Sequence, residues 1–160
     1  MSDLTSQFPE EMNYYDQFVQ MPEVRRAMHV GNMTWNDGKK VEEHLLNDVM
    51  DSVKPWIEEL LNFKEYRIMI YNGLMDVIIA WPLTENFITS MKGWKDRNEF
   101  INQERTKWRS SGGQLAGYAK HVGNFTQVLI RNAGHMVPYD QPKAAFDMIT
   151  RFTRGKKFSD

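Results

Sequence analysis

The chain carries two short apolar runs, Tyr66-Arg-Ile-Met-Ile-Tyr71 and Phe125-Thr-Gln-Val-Leu-Ile130. Each is too short for a helix of normal length, and each is closed by a turn signal, Asn72-Gly73 after the first and Asn132-Ala-Gly134 after the second. Both are expected as strands, the first buried on most sides. Residues 82–122 between them are mainly polar, with scattered aromatics at Phe87, Trp94, Phe100 and Trp108, which suits a helical crossover broken at Gly112-Gly113. Beyond the second strand, Asp140 can cap a helix with Pro142 in its first turn. Ala145, Phe146, Ile149 and Phe152 give that helix an apolar stripe, and Gly155 ends it. Arg151, Arg154, Lys156 and Lys157 complement the negative end of its dipole.

Residues 1–63 read instead as helices and connections. Pro22-Glu-Val-Arg-Arg-Ala-Met-His-Val30 opens with a proline suited to a first helical turn and stops at Gly31, and Asp37-Gly38 then marks a turn. A second helical stretch, Val41 to Val49, gives way near Asp51-Ser52. That pair can cap a third helix, with Pro55 in its first turn and Trp56, Ile57, Leu60 and Leu61 on its apolar face. The organisation expected is a helical segment over 1–63, a candidate for the end of a cap or lid insertion, followed by an α/β portion over 64–160.

Strand, long crossover, strand and helix is the pattern of a parallel sheet, whose two strands lie side by side or near one another. Asp76 and His135 would then stand just past the carboxyl ends of their strands, the edge where open α/β sheets bind ligands.

Length and composition narrow the function. A chain of 160 residues fits one ordinary domain and can bury roughly 70% of its unfolded surface. Lys and Arg total 20 against 21 Asp and Glu, for a net charge of -1, so neither nucleic acid nor an anionic membrane is expected as the main partner. No stretch approaches the roughly 18 apolar residues of a membrane span, and the first twenty residues are acidic and polar, unlike a secretory signal. With no cysteine there is no disulfide, thiolate nucleophile or cysteine zinc site in these residues. His29, His44 and His121 lack ligand spacing, so no metal and no cofactor is expected. The five tryptophans read as packing residues.

Two candidates for chemistry remain. A histidine at a strand end is more often structural than catalytic, and an aspartate after Asn-Gly is more often a turn residue or a cap. Together, however, Asp76 followed by His135 matches the last two members of a hydrolase triad, in which a carboxylate fixes the tautomer of an imidazole base. The first member would be a serine on a G-x-S-x-G elbow. Ser110 and Ser111 have no strand before them and no glycine two residues upstream, and no other serine is flanked by glycines at that spacing. Asn32-Met-Thr34 and Asn124-Phe-Thr126 fit the N-glycosylation pattern, Asn32 more credibly because Asn124 lies at the mouth of a strand.

Asn72-Gly-Leu-Met-Asp76, Gly134-His-Met-Val-Pro-Tyr-Asp-Gln-Pro142 and Pro22-Glu-Val-Arg-Arg-Ala-Met-His-Val30 together resemble the C-terminal third of the serine carboxypeptidases, nearest the vitellogenic carboxypeptidase-like branch. The similarity runs from about Tyr14 to Phe158. It implies the C-terminal part of an α/β-hydrolase fold, its last parallel strands and helices, preceded by a helical segment. It implies Asp76 as the triad carboxylate, His135 as the base and Met136 as lining for the substrate's C-terminal side chain. It further implies removal of single residues from peptide C-termini through an acyl-enzyme, in lysosomes, vacuoles or secretions. The implied partners are peptide C-termini and an N-terminal part of the same enzyme, which would carry the serine, so the 160 residues alone are expected not to hydrolyse peptides. The alternative from another class is a noncatalytic truncated remnant that binds peptides or partners.

Overall fold

A computed structural model describes residues 14–33, 35 and 38–159. Asp37 of the expected turn and Thr34 of the first glycosylation pattern lie outside the described residues. Contacts divide the chain into two compact units, one within Gln7–Ser52 and one that takes in Val53–Asp160.

The first unit holds three short helices, α1 (Tyr14–Gln20), α2 (Pro22–Ala27) and α3 (Lys39–Leu45), none with a buried residue. Pro22 opens α2 as expected, because a first-turn residue needs no amide donor. The stretch expected to be helical over 41–49 is shifted toward the N-terminus, with Gly38 in a left-handed conformation before it.

The second unit begins with α4 (Lys54–Phe63), then β1 (Ile68–Gly73), α5 (Trp81–Thr89) and α6 (Arg97–Asn102). A hairpin follows, β2 (Thr106–Arg109) and β3 (Leu115–Val122), then β4 (Phe125–Ile130), the single turn α7 (Val137–Asp140) and α8 (Pro142–Thr153). The four strands form one sheet in the order β1-β4-β3-β2. β1 and β4 are parallel neighbours in register from Ile68 opposite Phe125 to Gly73 opposite Ile130, whereas β3 runs antiparallel to both β4 and β2.

Alternation along the strands supplies the two faces of this sheet. Leu61, Ile88, Met91, Trp94, Phe100, Val122 and Phe125 form one core, backed by Ile57, Ile68, Ile70 and Phe87. Trp108, Ala119, Val128, Ile130, Ala145 and Met148 belong to the other, with Met69 and Phe152 against it. β4 is buried along its whole length, Thr126 and Gln127 included, whereas β1 lies at the sheet's edge, half-buried over Ile68 to Ile70, exposed at Tyr71 and buried only at Asn72 and Gly73.

Four sequence expectations are corrected here. The Gly112-Gly113 pair lies in the turn between β2 and β3, not in a break of a helical crossover: Gly113 N–H donates to Ser110 C=O and Gly113 is left-handed. Asp140 does not cap α8, which has no side-chain cap; its carboxylate instead accepts the N–H of Gly134. Nor does Asp51 or Ser52 cap α4, since the capping position is Val53. Finally, α8 buries Ala144, Ala145, Asp147 and Met148 and leaves Phe146 72% exposed, a face rotated from the apolar stripe. The reason is Asp147. Its carboxylate accepts from Trp108 Nε1 at 2.9 Å, Ser111 N–H at 3.2 Å and Arg151 Nε at 2.7 Å, so a charged residue outside the expected stripe faces inward while Phe146 of the stripe is exposed.

Candidate functional site

The site lies at the carboxyl ends of β1 and β4. The two chain segments that leave these strands touch: a Cβ placed on Gly73 would fall 2.2 Å from the Gly134 carbonyl oxygen and 2.3 Å from that of Ala133. Only glycine allows that approach. Leu74 N–H donates to Ile130 C=O and Met75 N–H to Ala133 C=O, both at 2.9 Å, continuing the parallel pairing past the last strand residues.

Asp76 follows in a turn that its own side chain closes. Oδ1 accepts the N–H groups of Ile78 at 2.9 Å and Ile79 at 3.0 Å, while Oδ2 lies 2.9 Å from His135 Nδ1. The Asp76 side chain is 5% exposed and that of His135 44%. The loop bearing His135 is stapled from below. Asn132 adopts a left-handed conformation, its C=O accepts from Gln141 Nε2 at 2.9 Å, and Gly134 N–H donates to Asp140 Oδ2 at 2.7 Å.

Burial is the largest influence on the Asp76 carboxyl and pushes its pKa up. The hydrogen bond from His135, the N–H groups of Ile79 and Ile78 and the charge of the imidazole outweigh it, so the group titrates below its ordinary value. At neutral pH Asp76 is therefore an acceptor only, and His135 Nδ1 must carry the proton between them. In a neutral imidazole that arrangement puts the free lone pair on Nε2, the ring nitrogen turned away from Asp76. A nitrogen so placed can accept a proton from a neighbouring hydroxyl.

Asp76 and His135, paired in the sequence reading, are thus brought together. Met136 directly follows His135 and is 36% exposed. Asn32 is exposed in the first unit. Asn124 has its amide nitrogen committed to the carbonyls of Leu61 at 3.3 Å and Tyr66 at 2.8 Å, the nitrogen a glycan would occupy. A residue the sequence reading passed over is Asn72, buried at the end of β1, whose amide nitrogen donates to Ile79 C=O at 3.1 Å. In the sequence it stood as a turn signal and as the first residue of the Asn72-Gly-Leu-Met-Asp76 motif, with no role of its own assigned. The cavity of about 470 Å³ lined by Arg67, His121, Thr126, Phe152 and Phe158 lies toward the start of β4 and includes neither Asp76 nor His135. Among the described residues no group of three His, Cys, Asp or Glu is placed to hold a metal, and no helix is long and apolar enough to cross a membrane.

Residues 2–155 match the family described as serine carboxypeptidase. The chain is 48% identical over 150 residues to the "Probable serine carboxypeptidase CPVL" of Homo sapiens, covering 92% of this chain and 31% of that protein. It is 46% identical over 140 residues to the vitellogenic carboxypeptidase of Aedes aegypti, covering 86% of this chain and 29% of the relative. It thus spans about a third of the length of the curated relatives it matches. In fold it resembles the crystal structure of Kex1(delta)p, a prohormone-processing carboxypeptidase from Saccharomyces cerevisiae. The TM-score is 0.71 at 21% identity, over 92% of this chain and 32% of that one. The architecture is accordingly that of the α/β-hydrolases.

Proposed function

Because the chain belongs to the serine carboxypeptidase family, we propose that it supplies the acid–base half of a peptide-hydrolysing site, with Asp76 as the orienting carboxylate and His135 as the general base. The observation that carries this is the 2.9 Å contact between His135 Nδ1 and an Asp76 carboxylate whose other oxygen is held by two backbone N–H groups. The nucleophile would be a serine from another part of a longer polypeptide, since no serine of this chain has glycines two residues before and after it.

In that reaction His135 Nε2 takes the serine proton as the serine oxygen bonds to the scissile carbonyl carbon. The resulting imidazolium is stabilised by Asp76, which stays ionised. The imidazolium then returns the proton to the departing amine, the C–N bond breaks, and the C-terminal residue leaves an acyl-enzyme behind. Water repeats the sequence with the same base and frees the serine. Met136, beside the base at the rim, would line the pocket for the substrate's C-terminal side chain, making peptide C-termini the partners. Asn32 is the glycan acceptor in this reading, and the compartment is lysosomal, vacuolar or secreted.

A noncatalytic remnant remains the second reading, favoured by the same absence of an elbow serine. The test has two steps. An immunoblot of the native source with an antibody to residues 38–60 is expected to show a band more than twice 18.9 kDa; a band at 18.9 kDa favours the remnant. In the longer enzyme, His135→Ala is expected to lower kcat by several orders of magnitude with little change in substrate binding, and Asp76→Asn is also severe because it permits the wrong tautomer. Near-normal turnover of the His135 variant removes the base role.

A further inference from the structure

We infer that Asn72 is a positioning residue for Asp76: its amide nitrogen holds the Ile79 carbonyl and thereby the turn whose N–H groups grip the carboxylate. The inference rests on the reading of Asp76 and His135 proposed above.

The local energetics of Asn72 do not explain an amide at this place. The residue is 6% exposed, on the same side of β1 as Ile68 and Ile70 by strand alternation. Its Oδ1 is buried with no hydrogen-bond partner among the described residues. An unpaired buried acceptor carries a desolvation penalty that an apolar side chain of the same shape would not. What the amide does supply is one donor, from Nδ2 to Ile79 C=O at 3.1 Å.

That donor matters because the turn has little else to hold it. Val77, Ile78 and Ile79 are 57%, 57% and 48% exposed, so their side chains do not anchor it in the core. The turn is pinned at one end by Asp76 Oδ1 and at the other by Asn72 Nδ2. Release the Asn72 end, and Ile78 and Ile79 are free to turn their N–H groups toward water. Asp76 Oδ1 would then lose the partners that fix the plane of its carboxylate, and with it the direction of Oδ2 toward His135 Nδ1.

The experiment compares the chain with its Asn72→Leu variant, a change that keeps the side-chain shape and removes both polar atoms. Three quantities are read: urea stability, the titration midpoint of Asp76 by carboxyl carbon NMR, and amide hydrogen exchange at Ile78 and Ile79. Stability is expected to hold or rise, because the unpaired acceptor goes. The Asp76 midpoint is expected to rise, and the two amides to exchange about fivefold faster, the factor of one hydrogen bond of ordinary net strength. A merely structural role would move stability and leave the Asp76 midpoint in place, and unchanged midpoint and exchange in a folded variant overturn the inference. If the variant does not fold, the through-bond coupling between Asn72 Nδ2 and the Ile79 carbonyl carbon in the unaltered chain decides, and its absence overturns the inference. An Asp76 of ordinary midpoint in the unaltered chain, with that coupling present, would sink the dyad reading itself and identify Asn72 as a turn residue alone.

Discussion

Replacing Gly73 by alanine should separate the two loops that carry Asp76 and His135. Gly73 has no left-handed φ, so alanine can adopt its backbone conformation and the effect is steric. The new methyl carbon would lie 2.2 Å from Gly134 O, 2.3 Å from Ala133 O and 2.6 Å from the Ala133 carbonyl carbon, whereas ordinary contact begins near 3.4 Å. The two backbones must therefore part by about 1.2 Å, the difference between 3.4 and 2.2 Å. Neither side yields easily: Leu74 and Met75 are bonded to Ile130 and Ala133 at 2.9 Å, and Gly134 is tied to Asp140. Backbone overpacking of this kind costs about 3 kcal/mol, and the reduced freedom of the unfolded chain returns somewhat under 1 kcal/mol, for a net loss of about 2 kcal/mol. With a urea slope of about 2 kcal/mol per molar, the midpoint should fall by about 1 M at unchanged slope. The same displacement, passed to the 2.9 Å contact between Asp76 and His135, would carry it past hydrogen-bond reach, so the Asp76 titration midpoint should rise. An alanine variant with the original urea midpoint and the original Asp76 titration would refute the claim that the glycine approach sets this geometry.

The lowered pKa of Asp76 makes stability acid-sensitive in a defined direction. Its contribution is complete above the unfolded value of about 3.9 and disappears as pH falls through the lower folded value, so the urea-stability gap between the chain and Asp76→Asn should be constant above about pH 5 and close below about pH 4; a gap that widens on acidification contradicts it. Asp147→Ala would leave Trp108 Nε1 buried and unpaired and strip Arg151 Nε and Ser111 N–H of their acceptor. The loss expected is about 3 kcal/mol by urea denaturation, and one below about 0.5 kcal/mol would show that the network carries no net stability.

The strands that place the dyad were legible because burial and sequence agree there: Phe125 to Ile130 is buried at every position and needed no periodicity to be seen. The positions of Asp76 and His135 followed from the rule for strand carboxyl ends, and parallel pairing of β1 with β4 fulfils it. The hairpin was not legible. β2 has four residues with Trp108 alone buried, and β3 contains Gly117, Lys120 and His121, all poor strand signals. Tertiary contact accounts for two of them. A Cβ on Gly117 would fall 2.0 Å from Leu129 O, and Lys120 is held 3.7 Å from Glu85 and 4.5 Å above the ring of Phe100. Asp140 misled, and Asp147 went unread, for a related reason: each satisfies groups that the folded chain brings to it, and spacing along the sequence carries no trace of such partners.

The dyad is assembled from two loops that each close on themselves. One is fastened by Asp76 and Asn72 over residues 72–79, the other by Asp140 and Gln141 over residues 132–141. Between them run the two backbone bonds that extend the parallel pair and the glycine approach that sets their spacing. Every group that fixes the Nδ1 side of His135 therefore lies on the unit that takes in Val53–Asp160. The Nε2 side is fixed by none of them. In the proposed reading, a serine brought to that side would meet an imidazole whose Nδ1 edge Asp76 already holds.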